Sequence, residues 1–289
     1  MSDAAELDSL HNQNSQLGQL LMLASSNLPI GSYTYSQGVE AAIESGVIQD
    51  ESTTLAFMQD YLQFAVIGYE LPVLGLIMQA LDQGHETLAA NLAHDYHASL
   101  ESKEFVLESQ QLAQAMVSWL NEVLRLSIPA EVPEDGYLPL FAHIAQHWQL
   151  PLAQSMTTYG FAQLENMVLA AVKTVPLGQM AGQRVLWQLQ SELNEQIDAL
   201  SDAVKQAFVT LIMSDAINTQ SVVDNQNIVD IQDTIDSKET VDNQAATNNQ
   251  HTQQLCEQLY EMLNLSNNLP SLAILSSKHE EQYSRLFRS

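Results

Sequence analysis

The stretch "STTLAFMQDYLQFAVIGYELPVLGLIMQAL", residues 52–81, decides the fold class. Its apolar residues recur at helical spacing and show none of the strict alternation of a half-buried strand. Pro72 marks either a break or a first-turn position, the places where a helix tolerates proline. The same periodicity continues on both sides, in "LGQLLMLA", "TLAANLAHDYHASL", "SKEFVLESQQLAQAMVSWLNEVLRL", "LFAHIAQHW", "PLAQSMTTYGFAQLENMVLAAVKTV" and "LGQMAGQRVLWQLQSELNEQIDALSDAVKQAFVTLIM". "IPAEVPEDGYLP", residues 128–139, carries prolines and a glycine and reads as a loop. No strand alternation and no spaced repeat interrupts the pattern. The expectation is an all-α, single-domain helical bundle of about ten helices.

Composition sets the boundaries. Residues 1–16 are polar and read as a flexible N-terminus, ahead of one helical domain over 17–289. Residues 214–253 contain no Gly, Pro or aromatic residue, and seven acids stand against the single Lys238. Such a segment buries too little apolar surface to offset its ordering entropy. It is expected to be a disordered acidic insertion, with a solvated helical extension as the lesser alternative. After it, "TQQLCEQLYEMLNL" returns to helical spacing.

The charge balance excludes several partners. There are 35 acidic residues against 9 basic ones, a formal net charge of −26. A nucleic-acid binder needs a basic footprint, and an anionic membrane surface attracts cations, so neither nucleic acid nor membrane is an expected partner. Cys256 is the only cysteine, which excludes an internal disulfide and a multi-cysteine metal site. Residues 1–18 lack the basic start and apolar core of a signal peptide. No apolar run approaches the ~20 residues of a membrane span. The expected location is the cytoplasm.

The stretch "LASSNLPIGSYTYSQGVEAAIESGVI", residues 23–48, invites a chemical reading. A phosphate loop needs G-x-x-x-x-G-K-[ST] after a strand, and here the spacing of Gly31 and Gly38 is wrong and no Lys follows. A nucleophile elbow needs G-x-S-x-G, and Ser36 lacks the first glycine. Local helix punctuation accounts for more: Thr34 and Gln37 read as a capping box, and Gly46 as the stop signal of the helix. Tyr33, Tyr35 and Glu40 are left over as a candidate contact surface.

His143 and His147 are four apart, and His94 and His97 three apart, so either pair has metal-compatible helical spacing. Neither pair carries the glutamate of HExxH, and structural or exposed roles are the favoured reading. In "GFAQLENMVLAAVKTVPLGQMAGQRVL", residues 160–186, a helix–turn–helix corner accounts for Lys173, Pro176 and Gly178. Gln179, Gln183 and Arg184 are unexplained by that corner, and the two glutamines share a face. No nucleophile, base and acid assemble into a catalytic set, and no cofactor motif is present.

Three segments together resemble the family of urease accessory proteins UreF. "LASSNLPIGSYTYSQGVEAAIESG", "YGFAQLENMVLAAVKTVPLGQMAGQRVL" and "SLAILSSKHEEQYSRLFRS" are similar to three separated blocks of that family and occur in its order. Departures are Asn27 where proline is usual, Lys103 and Val106 where arginine is frequent, and Ala113 where glycine is. The resemblance implies an all-helical, non-enzymatic, homodimeric protein. It would bridge a UreD-type (UreH-type) accessory protein and the UreG-type GTPase, and through them reach the urease apoprotein during nickel insertion. It implies partner contacts by Tyr33, Tyr35, Gln37 and Glu40, and by Lys103 and Glu104. It implies others by Lys173, Pro176, Gly178, Gln179, Gln183 and Arg184, with Lys173 and Pro176 to Gln179 near the GTPase face. It implies a partner-binding tail over 277–289, using Tyr283, Arg285, Leu286, Phe287 and Arg288. No catalytic residue, metal ligand or cofactor is implied. The competing expectations are a helical metal-binding enzyme using His143 and His147, and a general helical adaptor.

Overall fold

The computed structural model describes residues 2–129, 132–175, 177–226 and 239–265, and these are all-helical, with no strand among them. α1 (Ser2–Leu23) precedes a short 3-10 turn (Ser32–Thr34) and α2 (Val39–Glu44). α3 (Glu51–Tyr61) runs through a π-helical segment (Leu62–Glu70) into α4 (Leu71–Asp82). α5 (Glu86–Ala98), α6 (Lys103–Trp119), α7 (Tyr137–His147), α8 (Leu152–Thr174), α9 (Gln179–Gln226) and α10 (Glu239–Leu263) follow.

Pro72 explains the centre of the bundle. Its ring removes a backbone donor and crowds the preceding turn. The chain answers by widening that turn, and Leu71 N–H reaches back to the Val66 carbonyl. Gly68 makes this possible, because a β-carbon there would sit 3.0 Å from the Gln63 carbonyl oxygen. Pro72 then occupies the first turn of α4, and α3 and α4 form one continuous rod. Helix starts use side-chain caps where the sequence supplies them. Asp50 Oδ1 accepts from Thr53 N–H at 2.9 Å while Thr53 Oγ1 accepts from Asp50 N–H at 3.0 Å, a reciprocal box at α3. Ser102 Oγ accepts from Phe105 N–H at α6.

α4 is buried on nearly every side and packs against α5, α7, α8 and α9, while α8 and α9 form the largest helix pair. Leu62, Leu71, Leu74, Leu76, Ile77, Phe141 and Phe208 fill the centre. Each such side chain contributes roughly 1.5–3 kcal/mol by leaving water. The Glu51–Asp82 rod is, contrary to the expectation from sequence, long and apolar enough to cross a membrane by length and composition. Its most apolar window is 67% buried inside the protein, which is how the core helix of a bundle passes that test.

Two polar segments carry helical backbone. Backbone over the polar N-terminus is helical from Ser2 onward, and Gln16 Nε2 donates to the Gln149 carbonyl at 2.7 Å. Residues 214–226 continue α9, and residues 239–253 belong to α10. His251 Nε2 meets Asp215 Oδ1 at 2.9 Å and fastens α10 to that extension. Part of the insertion, residues 227–238, and the tail over 277–289 lie outside the described residues.

Candidate partner-binding surface

The turn over residues 28–38 is shaped by backbone that glycine permits. Gly31 has φ 78° and Gly38 φ 81°, both left-handed. Thr34 does not cap α2 as the sequence suggested. Its Oγ1 donates back to the Gly31 carbonyl at 2.7 Å, and Gly38 holds the cap position without a side-chain bond. Gly46, at φ 76°, ends α2 as expected: Gly46 N–H bonds the Ile43 carbonyl and Val47 N–H the Ala42 carbonyl, a Schellman closure.

Gln37 has a different task from the expected capping. It adopts φ 48°, unusual for a residue with a side chain, and is only 9% exposed. Its Nε2 donates to Glu108 Oε1 at 3.1 Å and to Gln163 Oε1 at 3.3 Å, and its Oε1 accepts from Tyr61 at 3.4 Å. Gln163 donates in turn to the Tyr159 hydroxyl at 2.9 Å. These groups line a cavity of about 80 Å³ between α3, α5, α6, α7 and α8. That is room for several waters, each needing roughly 10–15 Å³. Burial pushes the Tyr61, Tyr96 and Tyr159 hydroxyls well above the ordinary phenol range.

Tyr35, Gln37, Glu40 and Glu104 are therefore interior residues, at 5%, 9%, 3% and 9% exposure. In the isolated chain they face inward, and Tyr35 braces the turn by donating to Gln111 Oε1 at 2.6 Å. Tyr33 points outward, 48% exposed, and the Lys173 ammonium stands 5.5 Å from its ring centroid. Ser32 Oγ donates to Asn166 Oδ1 at 3.4 Å on the same helix as Lys173. Lys103 is exposed at the start of α6.

Past Lys173 the chain turns at Val175, whose N–H bonds the Ala171 carbonyl, and α9 begins with Gly178, Gln179 and Gln183 exposed. α8 and α9 approach closely because residue 182 is glycine; a β-carbon there would overlap Val172 Cγ2. Arg184 is exposed but engaged: Nε meets Glu51 Oε1 at 2.8 Å and Nη2 meets Oε2 at 2.5 Å. That fork holds the Glu51 carboxyl below its ordinary range. Met180 and Trp187, 71% and 73% exposed, belong to the same strip. Sequence reading missed both, although their seven-residue spacing around Gln183 and Arg184 is a helix-face signal. Pro176 and the tail residues Tyr283, Arg285, Leu286, Phe287 and Arg288 lie outside the described residues.

The histidine pairs sit in unlike surroundings. His143 is half-buried, its imidazole held below the ordinary range by desolvation, and His147 is exposed. His94 Nδ1 stands 3.9 Å from Asp135 Oδ1. Among the described residues, no group of three or more His, Cys, Asp or Glu side chains is placed to hold a metal ion.

Fold and surface together define an all-helical protein whose exposed features suit protein contacts. The UreF family profile matches residues 48–190, the rod through the start of α9. A urease accessory protein UreF of Azoarcus sp. (strain BH72) is 30% identical over 284 residues, covering 94% of each chain. UreF of Dechloromonas aromatica (strain RCB) is 37% identical over 62% of this chain and 82% of its own. A bifunctional urease accessory protein UreEF of Bordetella bronchiseptica is 32% identical over 95% of this chain, which spans 52% of that longer protein. The chain belongs to the UreF family of urease accessory proteins, which sets aside an adaptor unrelated to urease.

Proposed function

We propose that this chain is a scaffold for nickel insertion into urease, acting in the cytoplasm as a homodimer and without a catalytic site or cofactor of its own. It bridges a UreD-type (UreH-type) accessory protein and the UreG-type GTPase, and through that assembly reaches the urease apoprotein. The observation that carries this reading is the exposed strip running from Tyr33 and Lys173 to Gln179, Met180, Gln183 and Trp187, on a chain of this family. Aromatic, Met and cationic groups on a rigid helix pair are what interface cores favour. The name of the bifunctional Bordetella relative, which joins two accessory functions in one protein, also fits a role inside an accessory assembly.

The test is co-purification with its host's UreD-type and UreG-type proteins, followed by size exclusion with light scattering. Lys173→Ala with Trp187→Ala is expected to release the GTPase and leave the UreD-type partner bound. Removing residues 283–289 is expected to do the reverse. Full retention of both partners in both variants would sink this reading.

A further inference from the structure

Glu70 ends the π-helical segment, so the widened turn that accommodates Pro72 also aims this carboxyl at the cavity beneath Gln37. π-bulges are often placed at functional positions. Glu70 Oε2 is buried without a hydrogen-bond partner among the described residues. The titratable groups around the cavity are Tyr61 of α3, Tyr96 of α5 with Tyr69 stacked on it, Glu108 of α6 with Glu101 just ahead of that helix, Tyr137 of α7 and Tyr159 of α8. Among the described residues, no Lys, Arg or His lines it. Among the described lining residues a carboxylate there has no counter-ion; of the phenols around it, Tyr61 already donates to Gln37 and Tyr159 accepts from Gln163.

The commitments matter. Tyr61 gives its one hydroxyl proton to Gln37 Oε1 over a long 3.4 Å, and Gln37 holds an unfavourable left-handed backbone at φ 48°. A carboxylate accepts hydrogen bonds more strongly than an amide oxygen. We propose that Glu70 is a proton-operated latch on the Gln37 turn. With the carboxyl neutral, Tyr61 donates to Gln37 and the turn is held. When the carboxyl releases its proton to solvent, the Tyr61 hydroxyl turns to Glu70, water enters the cavity, and the turn from Gly31 to Val39 is released. The same turn carries Tyr33, so the latch reaches the exposed surface. Burial alone raises the Glu70 carboxyl to about 7, so both states are populated near neutral pH.

The latch goes beyond the bridging function and does not depend on it, because it is read in the isolated full-length chain. Hydrogen exchange of the amides of residues 34, 35 and 39 is compared at pH 6 and pH 8, after correction for intrinsic exchange rates. In the parent chain protection is expected to fall roughly tenfold across that interval, the change in the neutral fraction of one such group. Glu70→Gln, a neutral isostere, is expected to abolish the dependence and keep the turn protected at both pH values. Tyr61→Phe is expected to leave it weakly protected at both. The same fall in Glu70→Gln, or no fall in the parent chain, would overturn the proposal. Should Glu70→Gln fail to fold, a pH-dependent fall retained in Tyr61→Phe would do so instead.

Discussion

The Lys173 ammonium lies 5.5 Å from the centroid of the Tyr33 ring, joining the last turn of α8 to the turn ahead of α2. An exposed cation–π contact of this kind contributes about 0.5–1 kcal/mol. A double-mutant cycle with Tyr33→Ala and Lys173→Ala, read from denaturant midpoints, is expected to return a coupling of about that size. Lys173→Arg is expected to keep most of it, since a guanidinium also stacks on aromatic faces. Additive single effects would mean that the two side chains are neighbours without an interaction.

Gly182 and Gly178 sit four residues apart and make opposite predictions. A β-carbon at 182 would overlap Val172 Cγ2 where α8 and α9 cross, whereas nothing lies within 4 Å of one at 178. Gly182→Ala is expected to destabilise by about 1–3 kcal/mol, the usual cost of overpacking. Gly178→Ala is expected to be close to neutral in the same urea titration, so its effect on partner binding can be read without a folding defect.

Gln37 shows where sequence reading stopped. Helical periodicity made the bundle legible, and Pro72, Gly46 and the corner after Lys173 were readable because each acts through its own backbone. The capping box at Thr34 and Gln37 was a correct local pattern overridden by tertiary contacts: Glu108, Gln163 and Tyr61 come from three other helical segments and out-compete the N-cap. The same non-local packing put Tyr35, Glu40 and Glu104 inside, and it made Glu70, one carboxylate among many in the sequence, distinctive. Met180 and Trp187 share a helix face by their spacing, but that this face is exposed follows only from the neighbours of α9.

Gln37 also predicts an order of stabilities. Gln37→Ala removes the amide bonded to Glu108 and Gln163, and losing two such buried hydrogen bonds costs about 1–3 kcal/mol. Gln37→Gly removes the same bonds but relieves the left-handed backbone, which is worth roughly 1–2 kcal/mol to a residue with a β-carbon. The glycine variant is therefore expected to be the more stable of the two in thermal melts. The reverse order would show that φ 48° carries no strain here.

Glu70 predicts how stability depends on pH. Its carboxyl is raised from 4.5 to about 7 by burial. A raised acid binds its proton more tightly in the folded state than in the unfolded one. Its contribution is fully present below about pH 4.5 and is lost as pH rises through about 7. The loss amounts to about 3 kcal/mol at most, since each tenfold change in proton affinity is about 1.4 kcal/mol. Glu70→Gln carries no such proton, so its stability relative to the parent is expected to climb between pH 5 and pH 8 and then level off. His143 works in the opposite direction, because burial lowers its imidazole and stability is lost as pH falls below the ordinary histidine range. Measuring the difference between the Glu70→Gln variant and the parent, at each pH in guanidinium, cancels the histidine and isolates the carboxyl. A difference that stays flat from pH 5 to pH 8 would show that Glu70 is ionised throughout and solvated in the folded protein.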